Sequence, residues 1–155
     1  GARLIINLEK LYLSLKKLEL KDSPITEYYE LSHELGIAQK EMNKLQNKLF
    51  GIECNFEELN GIDFKKGCYV GQENNARIKL KNKLSKRLLP VNLIDGELNE
   101  GESVFYKGKE IGKILIDGQY PFALIKYLDQ NFNDKYHFKT KKASINIKKP
   151  NWINT

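Results

Sequence analysis

The sequence predicts an α+β chain, helical and turn-rich in its first part and closed by a six-stranded antiparallel β-barrel. Three observations carry this. Apolar residues recur at helical spacing after Ser23, they alternate with polar ones in short runs beyond about residue 86, and these runs are punctuated by turn-forming pairs with little helix between them. A chain of 155 residues is long enough to bury roughly 70% of the surface its unfolded form exposes. With 41% hydrophobic and 30% charged residues it has the composition of a folded domain, which excludes wholesale disorder. It has no uncharged apolar run long enough for a membrane span, so a membrane is not an expected partner.

The elements follow in order. Ser23-Pro24 reads as an N-cap with proline at the first helical position, and Ile25, Tyr28, Leu31 and Leu35 recur on one face before Gly36 closes a helix over about 24–35. Met42, Leu45 and Leu49 share a face in a segment of good helix formers, which predicts a second helix. Asn55, with Glu58 three residues on, resembles a capping box and predicts one helical turn over 56–59, ended by Asn60-Gly61. From Ile78 onward, Ile78, Leu80 and Leu84 alternate with Lys79, Lys81 and Lys83, the two-residue period of a strand. Strands are then predicted over 87–94, 103–106, 109–116, 122–128, 136–139 and 143–147, separated by Asp95-Gly96, Lys107-Gly108, Asp117-Gly118 and Asn133-Asp134. The domain boundary is placed near Asn82, dividing the chain into 1–82 and 83–155.

Lys and Arg total 26 against 20 Asp and Glu, a formal charge of +6. Arg occurs only at Arg3, Arg77 and Arg87, so the excess is almost all Lys, which lacks the planar fork that suits phosphates and base edges. The run Lys79, Lys81, Lys83, Lys86 and Arg87 raises an RNA-binding barrel as one alternative. Lysines on one face of a strand serve more often as solvated protection against unwanted pairing, and nucleic acid is not the expected partner. His33 and His137 have no carboxylate or cysteine at metal-ligand spacing, so no metal site is predicted. Cys54 and Cys68 form no C-x-x-C pair and no signal-peptide core is present, which points to a reducing, cytoplasmic location. The start at Gly1-Ala2 rather than methionine reads as that of a processed, tagged or truncated product.

One stretch carries chemistry: Asn60-Gly61-Ile62-Asp63-Phe64-Lys65-Lys66-Gly67-Cys68-Tyr69-Val70-Gly71-Gln72-Glu73. Two lysines precede the cysteine, glycines flank it, and Gln72-Glu73 opens a predicted helix running to about Arg77. A thiol beside Lys65, Lys66 and a helix N-terminus has its thiolate favoured by charge and by the backbone dipole. Cys68 is therefore a candidate nucleophile, metal ligand or redox-sensitive group, with a small hydrophobe buried in a tight turn as the alternative. Gly67 and Gly71 are candidates for a sharp backbone turn or a close approach to a ligand.

Lys66-Gly67-Cys68-Tyr69-Val70-Gly71-Gln72-Glu73 is similar, without a gap, to the K-G-C-Y-x-G-Q-E signature of the YgfZ family, folate-binding relatives of the glycine-cleavage T-protein. Around it, Glu53 and Asn55 resemble the family's P-x-E-x-N approach and Arg77 its trailing arginine. Lys86-Arg87-Leu88-Leu89-Pro90-Val91 resembles the lead-in to its barrel, and Pro150-Asn151-Trp152 its closing P-x-W. The chain departs from the pattern at Gly51 (proline in relatives), Ser32 (arginine) and Asn82 (glycine). The resemblance spans most of this chain and about the C-terminal half of a typical member.

It implies a partial T-protein-like α/β domain ahead of the barrel, and a tetrahydrofolate-binding accessory protein for iron–sulfur cluster assembly or repair that affects tRNA-modifying cluster enzymes. Implied partners are folate and iron–sulfur client or assembly proteins, with a cluster held transiently. Cys68 is the implied functional residue, and Lys66, Gly67, Tyr69, Gly71, Gln72, Glu73 and Arg77 would build the loop and helix start beside it. Glu53 or Glu73 could accept paired N–H groups from a pterin-like ring. The alternative the resemblance leaves open is an aminomethyltransferase of T-protein type, against which the cysteine-bearing form of the motif argues.

Overall fold

The computed structural model describes residues 5–67, 70–80, 84–126 and 137–153. Helix α1 (Leu8–Lys17) opens the chain, and the Asn7 side chain caps it by accepting from the Glu9 N–H at 2.9 Å. Helix α2 (Ile25–Glu34) falls within the predicted 24–35, but Pro24 and not Ser23 stands at its N-cap, and the Ser23 hydroxyl donates instead to the Glu27 carboxylate. The helix ends in a Schellman motif: the Gly36 N–H donates to the His33 carbonyl at 2.9 Å and the Ile37 N–H to that of Ser32 at 2.8 Å. Gly36 sits at φ +73°, and a Cβ there would lie 2.3 Å from the Pro150 ring. Beside this contact the Trp152 indole N–H donates to the Leu35 carbonyl at 2.7 Å. These contacts form a clasp that joins the C-terminus to α2, while Trp152 also packs against the barrel interior.

Two expected elements take another form. Only one 3₁₀ turn, Met42–Leu45, forms in the segment read as a second helix, between Glu41 at φ 59° and Asn47 at φ 60°. Tertiary contacts override helix propensity here, because Leu45 packs against the barrel's outer face while Lys44 holds Asp117 at 2.6 Å. Asn55 does not cap a helix either. It is itself left-handed, at φ 62°, within a run of turns over 51–60.

Helix α3 (Gln72–Leu80) starts where the Gln-Glu pair predicts and runs past Arg77, so Ile78, Lys79 and Leu80 are helical, contrary to the predicted strand. The alternation read over 78–84 gives way in its described first part, Ile78 to Leu80, to tertiary contacts: Lys79 is fixed on the helix by an ion pair with Glu57 and by its position 4.3 Å above the Phe64 ring. The basic run expected on one strand is thereby split between α3 and the barrel. Lys81, Asn82 and Lys83, where the domain boundary was placed, lie outside the described residues. No strand precedes the barrel among the described residues.

Six antiparallel strands follow: β1 (Lys86–Gly96), β2 (Ser103–Tyr106), β3 (Lys109–Ile116), β4 (Phe122–Lys126), β5 (Phe138–Lys139) and β6 (Ala143–Ile147). They close in the order β1-β4-β3-β2-β5-β6. The expected Asn133-Asp134 turn lies outside the described residues. Lys107 (φ 48°) and Gly108 (φ 78°) form the two-residue β2–β3 turn, whose left-handed pair matches the twist of a hairpin. Strand β1 pairs with β4 through Pro90 and with β6 from Val91, so the proline falls where the strand changes neighbour.

Alternation along the strands, interrupted in β3 where the pairing with β2 skips Ile111, sends Leu89, Val91, Val104, Ile111, Ile114, Ala123, Ile125, Phe138, Ile145 and Ile147 into one sealed interior. A second apolar layer lies outside the barrel wall, where Leu88, Leu115, Ile116 and Phe122 meet Leu45, with Ala38, Leu49 and Leu124 packed against them. A bulge in β3 between Ile114 and Ile116 turns Leu115 and Ile116 to this same outer layer.

Candidate functional site

The loop ahead of α3 is built from local signals. The Asp63 carboxylate accepts the Lys65 N–H at 2.8 Å, an Asx turn that starts the bend. Lys65, Lys66, Gly67 and Val70 are all exposed, Val70 fully. Cys68 and Tyr69 lie outside the described residues. Gly71 sits at φ +85° immediately before α3, a backbone state that the helix entry requires and that glycine adopts without strain. Gly67 has no left-handed φ, and no described atom lies within 4 Å of where its Cβ would stand, so neither a turn nor packing requires glycine there.

Glu53 belongs to the adjoining run of turns. Its carboxylate accepts the Phe50 N–H at 3.0 Å, and its carbonyl accepts the Leu88 N–H at 2.8 Å, which ties the turns to the start of β1. Asn55 completes this tie as a buried residue. Its amide donates to the Leu88 carbonyl at 2.8 Å and its side-chain oxygen accepts from Arg87 at 2.9 Å, while Arg87 also pairs with Glu58 at 2.6 Å. The Asn55 spacing to Glu58 was legible in the sequence, but its use as a latch depends on Arg87 and Leu88, more than thirty residues away.

The candidate residues are not drawn into one cluster. Glu73 and Arg77 are exposed on α3, Gln72 is half-buried, and no hydrogen bond or ion pair joins Glu53 to Glu73 or Arg77 among the described residues. Four surface cavities of about 250 to 450 Å³ are bounded by described residues, and Glu53, Lys66, Gly71, Gln72, Glu73 and Arg77 line none of them.

The two cysteines differ. Cys54 is half-buried in the wall of the 250 Å³ cavity, among Leu45, Leu49, Phe56 and Leu59. Burial, with the Glu53 charge adding to it, pushes its thiol up to about 12. Such a sulfur is a protonated packing group at neutral pH. In the sequence Cys68 follows Lys65-Lys66-Gly67, all three exposed, and precedes the start of α3 at Gln72.

No family model matches the chain. Among curated proteins it is similar to three named iron-sulfur cluster assembly factor IBA57 homolog, mitochondrial. The one from Aspergillus oryzae is 41% identical over 68 residues, which is 44% of this chain and 15% of the relative. That from Dictyostelium discoideum is 38% identical over 94 residues, 59% of this chain and 22% of the relative. That from Chaetomium globosum is 35% identical over 95 residues, 61% of this chain and 22% of the relative. The matched stretches thus span about a fifth of the relatives' length. The relatives' names place them in mitochondria, which overturns the cytoplasmic expectation. Its physical basis was too coarse, because the lack of a disulfide framework reports a reducing environment without saying which compartment provides it. Over half or more of its length, then, the chain is similar to part of proteins that are named as iron–sulfur cluster assembly factors.

Proposed function

We propose that this chain belongs with the iron–sulfur cluster assembly factors it resembles, and that it serves cluster assembly or repair in mitochondria through the thiol of Cys68. The observation that carries the reading is the position of the K-G-C-Y-V-G-Q-E segment, whose described residues, apart from half-buried Gln72, are exposed and lead through Gly71 into the N-terminus of α3. Iron binds the thiolate, so a site that lowers the cost of deprotonation favours iron capture. Lys65, Lys66 and the positive end of α3 supply that field, whereas Cys54 lacks it. The cluster is cargo in this scheme, and its donors and recipients are partner proteins. The part up to about residue 82 bears the thiol loop, and the barrel from 83 onward is the frame to which Asn55 and Trp152 fasten it.

Tetrahydrofolate binding and effects on tRNA-modifying enzymes form the wider part of the same reading. One described group suits a pterin: the second carboxylate oxygen of half-buried Glu53 has no donor among the described residues. Glu73 and Arg77 stand exposed, so the described residues alone do not enclose the ring.

Anaerobic reconstitution with ferrous iron and sulfide, followed by absorption spectroscopy and iron analysis, tests the cluster reading. The unaltered chain and Cys54→Ala are expected to develop thiolate-to-iron charge-transfer bands that Cys68→Ala lacks. Retention of those bands by Cys68→Ala would sink the proposal. Calorimetric titration with tetrahydrofolate decides the folate part separately: binding heat abolished by Glu53→Gln supports that contact, and a flat trace removes it.

A further inference from the structure

On the outer wall of the barrel, three neighbouring strands change from leucine to lysine in the same direction, β3 one two-residue step before the others, since Lys113 stands opposite Leu124 while Lys86 stands opposite Lys126. Going away from the apolar layer, β1 passes from Leu88 to Lys86, β4 from Leu124 to Lys126, and β3 from Leu115 to Lys113, each a step of two residues that keeps to one face. Where the leucines lie, the segment around Leu45 and Leu49 covers the wall. Where the lysines lie the wall is open, as a groove of about 430 Å³ with Leu115 and Leu124 in its lining and Lys48 of the covering segment contributing a fourth ammonium group.

The charge in this groove is not neutralised from within. Lys48 pairs with Glu100, but Lys86, Lys113 and Lys126 have no carboxylate at ion-pair distance among the described residues. One acid, Glu110, stands among the four lysines of the lining. Lys86 and Lys126 are directly opposite in the β1–β4 register, a like-charge cross-strand pair that works against stability. Solubility does not require such a pairing, because lysines elsewhere on the surface supply the same net charge without it.

We propose that this groove is a docking surface for an acidic segment of a partner protein, one that carries aliphatic side chains between its carboxylates. The lysines meet the carboxylates and the leucine floor takes the aliphatic groups. Among the described residues no aromatic side chain lines the groove to stack on unpaired bases, and its cations there are lysines without the arginine fork, which together disfavour nucleic acid. The barrel is closed, so the partner is recognised by side chains rather than added as a further strand. The inference is independent of the role given to Cys68.

Fluorescence anisotropy of the whole chain with a labelled peptide alternating Glu and Leu provides the test, beside its Gln and Leu counterpart and a single-stranded RNA of equal length. The acidic peptide is expected to bind in a salt-dependent manner, and the triple change Lys86→Gln, Lys113→Gln, Lys126→Gln is expected to weaken it by about tenfold, from three exposed ionic contacts. Lys16→Gln with Lys17→Gln on α1 should leave binding unchanged. A separate readout needs no ligand: Lys126→Glu replaces the like-charge pair with an opposite one, and its melting temperature should rise. No binding, equal binding of the uncharged peptide, unchanged affinity in the triple variant, or tighter binding of RNA through the same lysines would each overturn the proposal.

Discussion

The barrel and the region before it are stabilised in different ways. Ten strand residues form the barrel interior with at most 3% of their surface exposed, whereas neither α1 nor α3 buries a single side chain and α2 buries only Ser32. The barrel is held by a continuous apolar interior in which each strand supports its neighbours. The earlier region is held by a few specific ties: Asn55 and Arg87 at one place, the Gly36–Pro150–Trp152 clasp at another, and His33 on the Pro121 carbonyl at a third. The loop proposed to carry the working thiol falls in the second region, where local rearrangement does not open the core.

Substitutions should separate the two regimes. Phe138→Ala, inside the barrel, should cost the most, about 3 to 5 kcal/mol in chemical denaturation, with cooperative loss of the whole fold. Asn55→Gly keeps the left-handed backbone while removing the latch, and should cost about 1 to 3 kcal/mol because the Leu88 carbonyl loses its partner and Arg87 one of its two. Gly36→Ala places a side chain at φ +73° against Pro150 and should cost about 1 to 2 kcal/mol from backbone strain alone. Pro150→Gly in the same chain should recover only the clash. A cost for Asn55→Gly as large as that of Phe138→Ala would erase the distinction.

A pH series probes the weakest tie. The His33 ring nitrogen Nε2 lies 2.9 Å from the Pro121 carbonyl, with the ring edge-on to Phe122. Desolvation, only partly offset by that hydrogen bond, lowers its affinity for a proton below the ordinary value of 6.5. The unfolded chain therefore binds the extra proton more readily. The contribution of His33 is complete above its unfolded value and declines as pH falls through it. Thermal melts from neutral to mildly acidic pH should show a small fall in stability that His33→Gln flattens. On α1, Tyr12→Ala should change stability by no more than about 0.5 kcal/mol, since the side chain is 67% exposed.

The same contrast explains what could be read in the sequence. The strands over 103–106, 109–116 and 143–147 were legible because alternation and turn pairs such as Lys107-Gly108 are local and agree with the tertiary structure. The helix entry at Gln72 was legible for the same reason. Met42–Leu45 was misread as part of a longer helix because its form is set by Lys44 reaching Asp117 and Leu45 reaching the barrel. Ile78–Leu80, read as the start of an alternating strand over 78–84, was misread because Lys79 is held on the helix by Glu57 and the Phe64 ring, which lie well before it in the sequence. No element was assigned before Ser23, although Asn7 followed by Leu8, Leu11 and Leu15 carries the cap and spacing of α1. In the site, the role of Asn55 was not legible, since nothing near it in the sequence names Arg87 as its partner.

The central claim is that the two sulfur atoms differ in kind, one packing and one working. Alkylation of the native chain by iodoacetamide across a pH series, with each cysteine followed by mass spectrometry, tests this most directly. Cys68 is expected to react at neutral pH with a midpoint below that of an ordinary thiol, while Cys54 stays protected until the fold opens or the solution becomes strongly alkaline. Equal protection of the two cysteines in the native chain would contradict the account.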